Sequence, residues 1–524
     1  DSAPPDGRVS FCAKLGELTE RFIWIENSKM DILENITEHE TTFEHLGEEC
    51  GVVGIAASKR ENVAALAYYA LYALQHRGQQ SAGIAVNDDG VINAHCDEGL
   101  VNEVFDGNSL AKLGTGSMAV GHVRYSTTGY EKRINCQPLV VNHIKGTMAI
   151  AHNGNLVNDA ELREELELAG SIFHTTTDTE VIAYTITKER LTADSIEEAV
   201  SRAMDRIKGA YSLVIMSPKK LIAARDPHGF RPLCIGELSE GGYCFASETC
   251  ALDAMGAKFL RDVEPGEIVV VENDELRSLR SHCGKVKPAL CVFEYIYFAR
   301  PDSVIDGCSV HLARQRAGSF LALEHPVQAD VVIGVPDSGL DAAIGFSRQS
   351  GIPYGIGFIK NKYIGRTFIQ PKQNEREKLV RIKLNPVSAT VSGKRVVLID
   401  DSIVRGTTIK RIVRLLREAG ATEVHVRSAA PKFLFPCYFG TDVPSREELI
   451  ANKYNDEELV RELGLDSLGF LSVENARLLA GNGKTDYCVG CFTGEYPCEP
   501  PKRRYVNKYA RKLSEKSDMP QPKE

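Results

Sequence analysis

Apolar and polar positions between Lys394 and Arg427 spell strand, loop, helix, strand. Arg395 to Ile399 (RVVLI) is a near-continuous apolar run, the pattern of a strand covered on both faces. Asp400 and Asp401 end it, and Ser402 to Thr408 form a loop rich in hydroxyls. From Ile409 onward Ile409, Ile412, Val413 and Leu416 share one helical face, and Gly420 stands where the helix should stop. EVHVR then returns to the sheet. A second strand–loop–helix is written in ADVVIGVPDSGLDAAIGFS, with Pro336, Asp337, Ser338 and Gly339 at the turn. Nearer the start, CGVVGIAA is an apolar strand beginning at Cys50. SLVIMS, LIAARD, YCFASE and EIVVVE are short strands separated by the turns RDPHGFRPL and EPGE. Strands, helices and more strands predict a two-sheet sandwich flanked by helices, followed by a parallel α/β sheet. Charged and polar residues between Asp274 and Pro288 mark the boundary between the two. Residues 441–480 read as helical, polar on one side, and the segment beyond Pro500 as a charged, disordered tail.

Composition narrows this picture. A chain of 524 residues needs two or three domains. The divisions predicted are 1–49 as an extension, 50–285, 286–480, and a C-terminal segment 481–524. No apolar run approaches the length of a membrane span. The net charge of −9 gives no footprint for nucleic acid. Fourteen scattered cysteines in a large acidic chain favour a reducing compartment, the cytoplasm, with some thiols as ligands or nucleophiles.

The loop after Asp401 has its own chemistry. Backbone N–H groups at a helix start, with Ser402, Thr407 and Thr408 beside them, suit a phosphate monoester. Two carboxylates at the carboxyl end of a parallel strand can hold sugar hydroxyls or a metal ion. Together they suggest a ribose 5-phosphate ligand. Cys50 alone reads as a core thiol. If cleavage freed its α-amine, with an unperturbed pKa of about 8, that amine would serve as base for its own thiol.

VVLIDDSIVRGTT resembles the phosphoribosyl-pyrophosphate (PRPP) loop of type I phosphoribosyltransferases, and from about Glu48 to Tyr496 the chain is similar to the glutamine PRPP amidotransferases. The resemblance implies a fold: an N-terminal-nucleophile αββα sandwich (class II glutamine amidotransferase), then a type I phosphoribosyltransferase parallel α/β sheet. It also implies roles. EECGVVGI looks like a propeptide junction that exposes Cys50 as nucleophile. After LQHRGQQSAGIA, GHVRYSTTG supplies Arg124 for the glutamine α-carboxylate, AHNGNLVN supplies Asn153 and Gly154 as oxyanion hole, and TTTDTEVI supplies Asp178 for the α-ammonium. His76, Arg77 and His152 fit no zinc spacing, and His76 and His152 read as structural.

For PRPP, the resemblance implies contacts from Asp337, Asp400, Asp401, Ser402, Arg405, Gly406, Thr407 and Thr408. Ser338, Asp400 and Asp401 would stand at one Mg2+ per subunit. IKNKYIGRTFIQP resembles a loop that closes over PRPP, with Lys360 and Arg366 pairing with pyrophosphate. Lys362 stands where many relatives have Arg, which removes any bidentate contact there. Cys291, Cys437, Cys488 and Cys491 match the ligands of the subgroup with one 4Fe–4S cluster per subunit, with tetrahedral zinc as the chemical alternative and Cys498 close by.

The implied reaction converts glutamine, PRPP and water into 5-phosphoribosylamine, pyrophosphate and glutamate, the first step of de novo purine synthesis. Ammonia made at Cys50 must reach C1 of the ribose through a dry passage between the domains. Purine nucleotides as feedback inhibitors and a homotetramer are further family expectations; nucleic-acid and membrane partners are not expected. Other class II amidotransferases, such as glucosamine-6-phosphate or asparagine synthetases, lack the IDDSIVRGTT loop. A PRPP-sensing regulator would not need Cys50, Arg124, Asn153 and Asp178.

Overall fold

The computed structural model describes residues 50–125, 133–361, 384–441, 443, 445–481 and 486–502. Its first half contains strands β1 (Gly51–Glu61), β2 (Ser81–Asp88), β3 (Val91–Glu98), β4 (Gly116–Arg124), β5 (Leu139–His143), β6 (Gly146–Leu156), β7 (Gly209–Met216), β8 (Leu221–Arg225), β9 (Cys234–Glu237), β10 (Gly242–Ala246), β11 (Lys258–Asp262), β12 (Ile268–Glu272) and β13 (Glu275–Leu279). They form a seven-stranded sheet, β11-β9-β10-β1-β4-β2-β3, and a six-stranded sheet, β13-β12-β8-β7-β6-β5. Both are antiparallel where their pairings are described.

The two-residue period of each strand builds the layers. In β1, Val52 and Ala56 face the second sheet, packing with Ala149, Ala151 and Val214. Val53 and Ile55 face outward onto α1 (Val63–Ala73), through Ala67, Ala70 and Leu71. In β6, Ala149 and Ala151 point inward, while Met148 and Ile150 point outward. α2 (Asp159–Leu168), α3 (Asp178–Arg190) and α4 (Ile196–Met204) cover that outer side through Leu162, Val181, Ile182 and Val200. The result is four layers, αββα, with the strand expectations between 211 and 272 met. The sheet does not end where charged residues begin. Glu275–Leu279, polar and largely exposed, is the edge strand β13, paired along Val269↔Ser278. Edge strands tolerate charge because one side faces solvent.

The second half has α5 (Val310–Glu324), β14 (Val331–Gly334), α6 (Gly339–Ser350), β15 (Arg395–Asp400), α7 (Thr407–Glu418), β16 (Glu423–Ser428) and β17 (Ser467–Phe470). The strands form one parallel sheet in the order β14-β15-β16-β17. Val332, Val397 and Ile399 pack against α5 and α6, through Ala313, Ala317, Ala342 and Phe346. Ile333, Val396 and Leu398 pack against α7, through Ile409, Ile412 and Leu416. Cover on both faces explains the unbroken apolar runs. Residues 441–480 depart from the helical expectation. Short helices at Ile450–Lys453, Asp456–Leu463 and Val473–Ala476 surround β17, which extends the parallel sheet. At the C-terminal end, Tyr487–Cys488 pairs in parallel with Leu290–Cys291.

Candidate active sites and a thiol cage

Cys50 directly precedes β1, and the register Gly51↔Val123 sets it level with Arg124, the last residue of β4. Arg124 is buried. The Cys50 thiol donates to the carbonyl of Tyr125 at 3.5 Å. On the facing sheet, β6 carries Asn153 and Gly154 opposite Ser212 and Tyr211. Asn153 is 1% exposed, and among the described residues its Nδ2 has no hydrogen-bond partner. A buried amide donor left unpaired is costly, and such donors are found where a ligand completes them. Gly154 has φ +140, and a Cβ there would stand 2.2 Å from the carbonyl oxygen of Ala210. Only glycine lets the strand pass so close.

Asp178 opens α3 and is buried. Its carboxylate accepts from Leu156 N–H at 3.0 Å and lies 3.5 Å from His152 Nδ1. Burial pushes its pKa up, but His152 and the N–H groups of Leu156 and Thr179 outweigh burial and hold it below the ordinary value. Asp159, the first residue of α2, was not singled out by sequence. Burial and the charge of Asp178 raise it to about 6. His152 is buried among Thr179 Oγ1 at 3.3 Å and Ala210 O at 3.4 Å. His76 bonds Glu248 Oε1 at 2.7 Å and Ala73 O at 3.1 Å.

In the second half, β14 and β15 end side by side, with Gly334 level with Ile399. Asp400 and Asp401 follow, both buried. Asp401 N–H donates to Asp400 Oδ1 at 3.0 Å, and Ser338 and Ser402 both donate hydroxyls to Asp401. Burial and the charge of Asp401 push the Asp400 carboxyl well above its usual value. A buried acidic pair of this kind gains from a cation or from ligand hydroxyls. Gly406, at φ +86, turns the loop into α7, whose first residues are Thr407 and Thr408. The helix N-terminus and the acidic pair are therefore joined by one short loop, as the sequence implied. Arg405 turns to Glu448, at 3.1 Å from Nε and 2.9 Å from Nη2. Lys360 and Asp337 form an exposed ion pair with each other at 2.6 Å. Arg366 and Lys362 lie outside the described residues.

A third group of side chains lies where the two halves meet. Cys291, Cys437, Cys488 and Cys491 line one cavity, walled by Phe230, Phe293, Phe433, Phe439 and Tyr496. Cys291 and Cys488 are register partners, and Cys437 Sγ accepts from Phe439 N–H at 3.4 Å. Burial raises Cys488 to about 12; burial and then Cys437, Cys291 and Cys488 push the Cys491 thiol well above its usual value. Neutral thiols are favoured until a cationic centre binds them. Cys498 does not line this cavity. The same segment touches the first half. Asn155 Nδ2 donates to Tyr438 O at 3.1 Å, Arg231 donates to Phe439 O at 2.6 Å, and the Phe230 and Phe439 rings stack at 4.3 Å. Sequence pattern gave no signal for these contacts, since they join segments far apart in the chain.

The chain is 51% identical over 464 residues to the amidophosphoribosyltransferase of Methanocaldococcus jannaschii, covering 86% of this chain and 98% of that protein. It belongs to the amidophosphoribosyltransferase family. The Bacillus subtilis member is 49% identical over 461 residues, covering 87% of this chain and 95% of its own. A glutamine amidotransferase domain is matched at residues 122–254 and a phosphoribosyl transferase domain at 311–432. The solved structure of the B. subtilis PRPP amidotransferase complexed with ADP and GMP is similar with a TM-score of 0.80 at 48% identity, over 86% of this chain and 98% of that one. The family's enzymes catalyse the first step of purine biosynthesis. The class II glutaminase fold followed by a phosphoribosyltransferase sheet, expected from sequence, is the fold observed. Among the described residues, no helix is long and apolar enough to cross a membrane.

Proposed function

We propose that this amidophosphoribosyltransferase runs its reaction at two centres built from the residues above. The observation that carries the reading is the buried, unpartnered amide of Asn153 on the family's glutaminase scaffold. With the chain cut before Cys50, the freed α-amine takes the thiol proton and the sulfur attacks the glutamine amide carbon. Arg124 and Asp178 hold the two ends of the amino acid. The oxyanion accepts from Asn153 Nδ2 and the Gly154 N–H. Ammonia leaves as the C–N bond breaks, and water then hydrolyses the thioester to glutamate.

At the second centre Asp400 and Asp401 receive the ribose hydroxyls, and the loop from Ser402 to Thr408 receives the 5-phosphate. Asp337, Lys360 and Arg366 serve the pyrophosphate. Ammonia attacks C1 as the bond to pyrophosphate breaks. Asp401, Asp400 and Ser338, already joined by hydrogen bonds, would hold one Mg2+, which supplies positive charge to the leaving pyrophosphate.

The thiol cage fits a 4Fe–4S cluster and so membership of the iron–sulfur subgroup. Its four donors are all soft sulfur in an apolar box. The cluster's contribution is to tie the C-terminal segment to the rest. A reducing, cytoplasmic setting is proposed from the scattered cysteines of a large acidic chain. Purine nucleotides are proposed as feedback inhibitors, as the ADP and GMP complex of the relative suggests, and a homotetramer as the assembly.

The test is the intact mass of active protein before and after labelling with a thiol-reactive glutamine analogue. A mass starting at Cys50, one label there and loss of glutamine-dependent activity support the reading. An uncut chain that still uses glutamine overturns it.

A further inference from the structure

Four charged side chains are buried together where the two halves meet. Arg77, Arg231, Glu248 and Glu294 are each no more than 1% exposed. Arg77 lies at the centre. Its Nε donates to the backbone carbonyl of Cys50 at 3.1 Å. Its Nη1 donates to Glu248 Oε1 at 2.6 Å and to Glu294 Oε2 at 3.0 Å, and its Nη2 to Glu294 Oε1 at 2.7 Å. Glu248 is itself fixed by Ser303 Oγ at 2.6 Å, Arg300 N–H at 2.9 Å and His76. Glu294 also faces Arg231 Nη1 at 3.5 Å.

The two carboxylates come from different places. Glu248 belongs to the glutaminase sandwich. Glu294 opens the π-helical turn Glu294–Phe298, beyond the sandwich and three residues after Cys291. Its grip on Arg77 is bidentate, the geometry that fixes a guanidinium plane as well as its charge. A guanidinium clamped in this way fixes the carbonyl it donates to. The Cys50 carbonyl fixes the peptide plane and with it the position of Cα, from which both the thiol and the amine extend. Nothing in sequence pattern isolates Glu294, which sits inside the apolar stretch CVFEYIYF.

We propose that Glu294 is a positioning residue for the glutaminase nucleophile, acting through Arg77 on the backbone of Cys50 from outside the glutaminase sandwich. The inference rests on Cys50 being the nucleophile. Attack geometry is sensitive at this level: an error of about 1 Å in a reacting group can cost about a hundredfold in rate. Glu294 and Arg77 touch neither glutamine's ends nor PRPP in the reading above. Their removal should therefore affect turnover of glutamine rather than its binding, and should leave the use of free ammonia alone.

The experiment compares Glu294→Gln and Arg77→Lys with the parent chain processed at Cys50. Glutamine-dependent and ammonia-dependent release of pyrophosphate from PRPP are measured, together with KM for glutamine and the rate of Cys50 alkylation by iodoacetamide. The expected result is a glutamine-dependent kcat lowered about tenfold or more. Glutamine KM stays within about twofold, alkylation slows in parallel, and ammonia-dependent turnover is unchanged. Equal loss of both activities in both variants, including failure of both to fold, makes the network structural and overturns the inference. So does unaltered glutamine turnover in either folded variant. Cys50→Ser separates the two readings. If it retains glutamine-dependent turnover, the nucleophile assignment fails. If it loses that turnover while Glu294→Gln does not, only the positioning inference fails.

Discussion

Asn153 offers a clean separation of catalysis from stability. Its Nδ2 has no partner among the described residues, so removing it breaks no bond there. Loss of one oxyanion donor lowers kcat by about 100- to 1,000-fold. Asn153→Ala should show that loss in glutamine-dependent turnover, with ammonia-dependent turnover and the melting temperature nearly unchanged. A large fall in melting temperature would mark the amide as structural. Asp159 shows the opposite behaviour. Its native pKa, about 6, lies above the unfolded value of about 3.9. The folded chain therefore binds its proton more tightly, and stability falls as pH rises from about 4 to about 6. Asp159→Asn should be more stable than the parent at pH 8 by on the order of 2 kcal/mol, and the difference should shrink as pH falls through about 6. Denaturant melts at pH 8 and pH 5 would read it. Cys50, Arg124, Asn153 and Asp178 were legible because each sits in a short motif. Asp159 and Glu294 were not, because what distinguishes them is burial beside another charge, which only folding creates.

At the scale of elements, apolar period decided what could be read. Arg395–Ile399 was legible as a strand because both faces are covered, and the observed strand adds only Asp400. The helix expected from Ile409 begins at Thr407, since two threonines at its first turn carry no apolar signal. β17 was missed. SLGF is four residues long and gains its cover from β16, which no local pattern reveals. The loop before α7 depends on Gly406. A residue with a side chain would adopt φ +86 at a cost of about 1–2 kcal/mol. Its Cβ would also fall 2.3 Å from Ile450 Cδ1. Gly406→Ala should thus displace the phosphate end of the loop and leave the sandwich intact. KM for PRPP should rise by about tenfold or more, with glutamine hydrolysis in the absence of PRPP unchanged. Loss of both would show that the strain spreads beyond the loop.

At the scale of the whole molecule, the thiol cage joins segments that are far apart in sequence. Cys291 follows the sandwich, Cys437 lies between β16 and β17, and Cys488 and Cys491 lie near the C-terminal end of the described chain. One wall, Phe230, belongs to the sandwich and stacks on Phe439 two residues from Cys437. The C-x-x-C was visible in the sequence; the convergence of the other two thiols came from resemblance, and the wall came only from the fold. A group bound by all four sulfurs would close three chain segments at once, and the stabilisation would be lost with it. Protein purified without oxygen should contain on the order of four iron and four sulfide per chain. Oxidative removal of the iron should then make the segment 486–502 more susceptible to limited proteolysis, and Cys437→Ser should do the same without oxidation. Zinc in place of iron would make the cage a tetrahedral zinc site, and neither metal with protease resistance unchanged would mean that it is held by its aromatic packing alone.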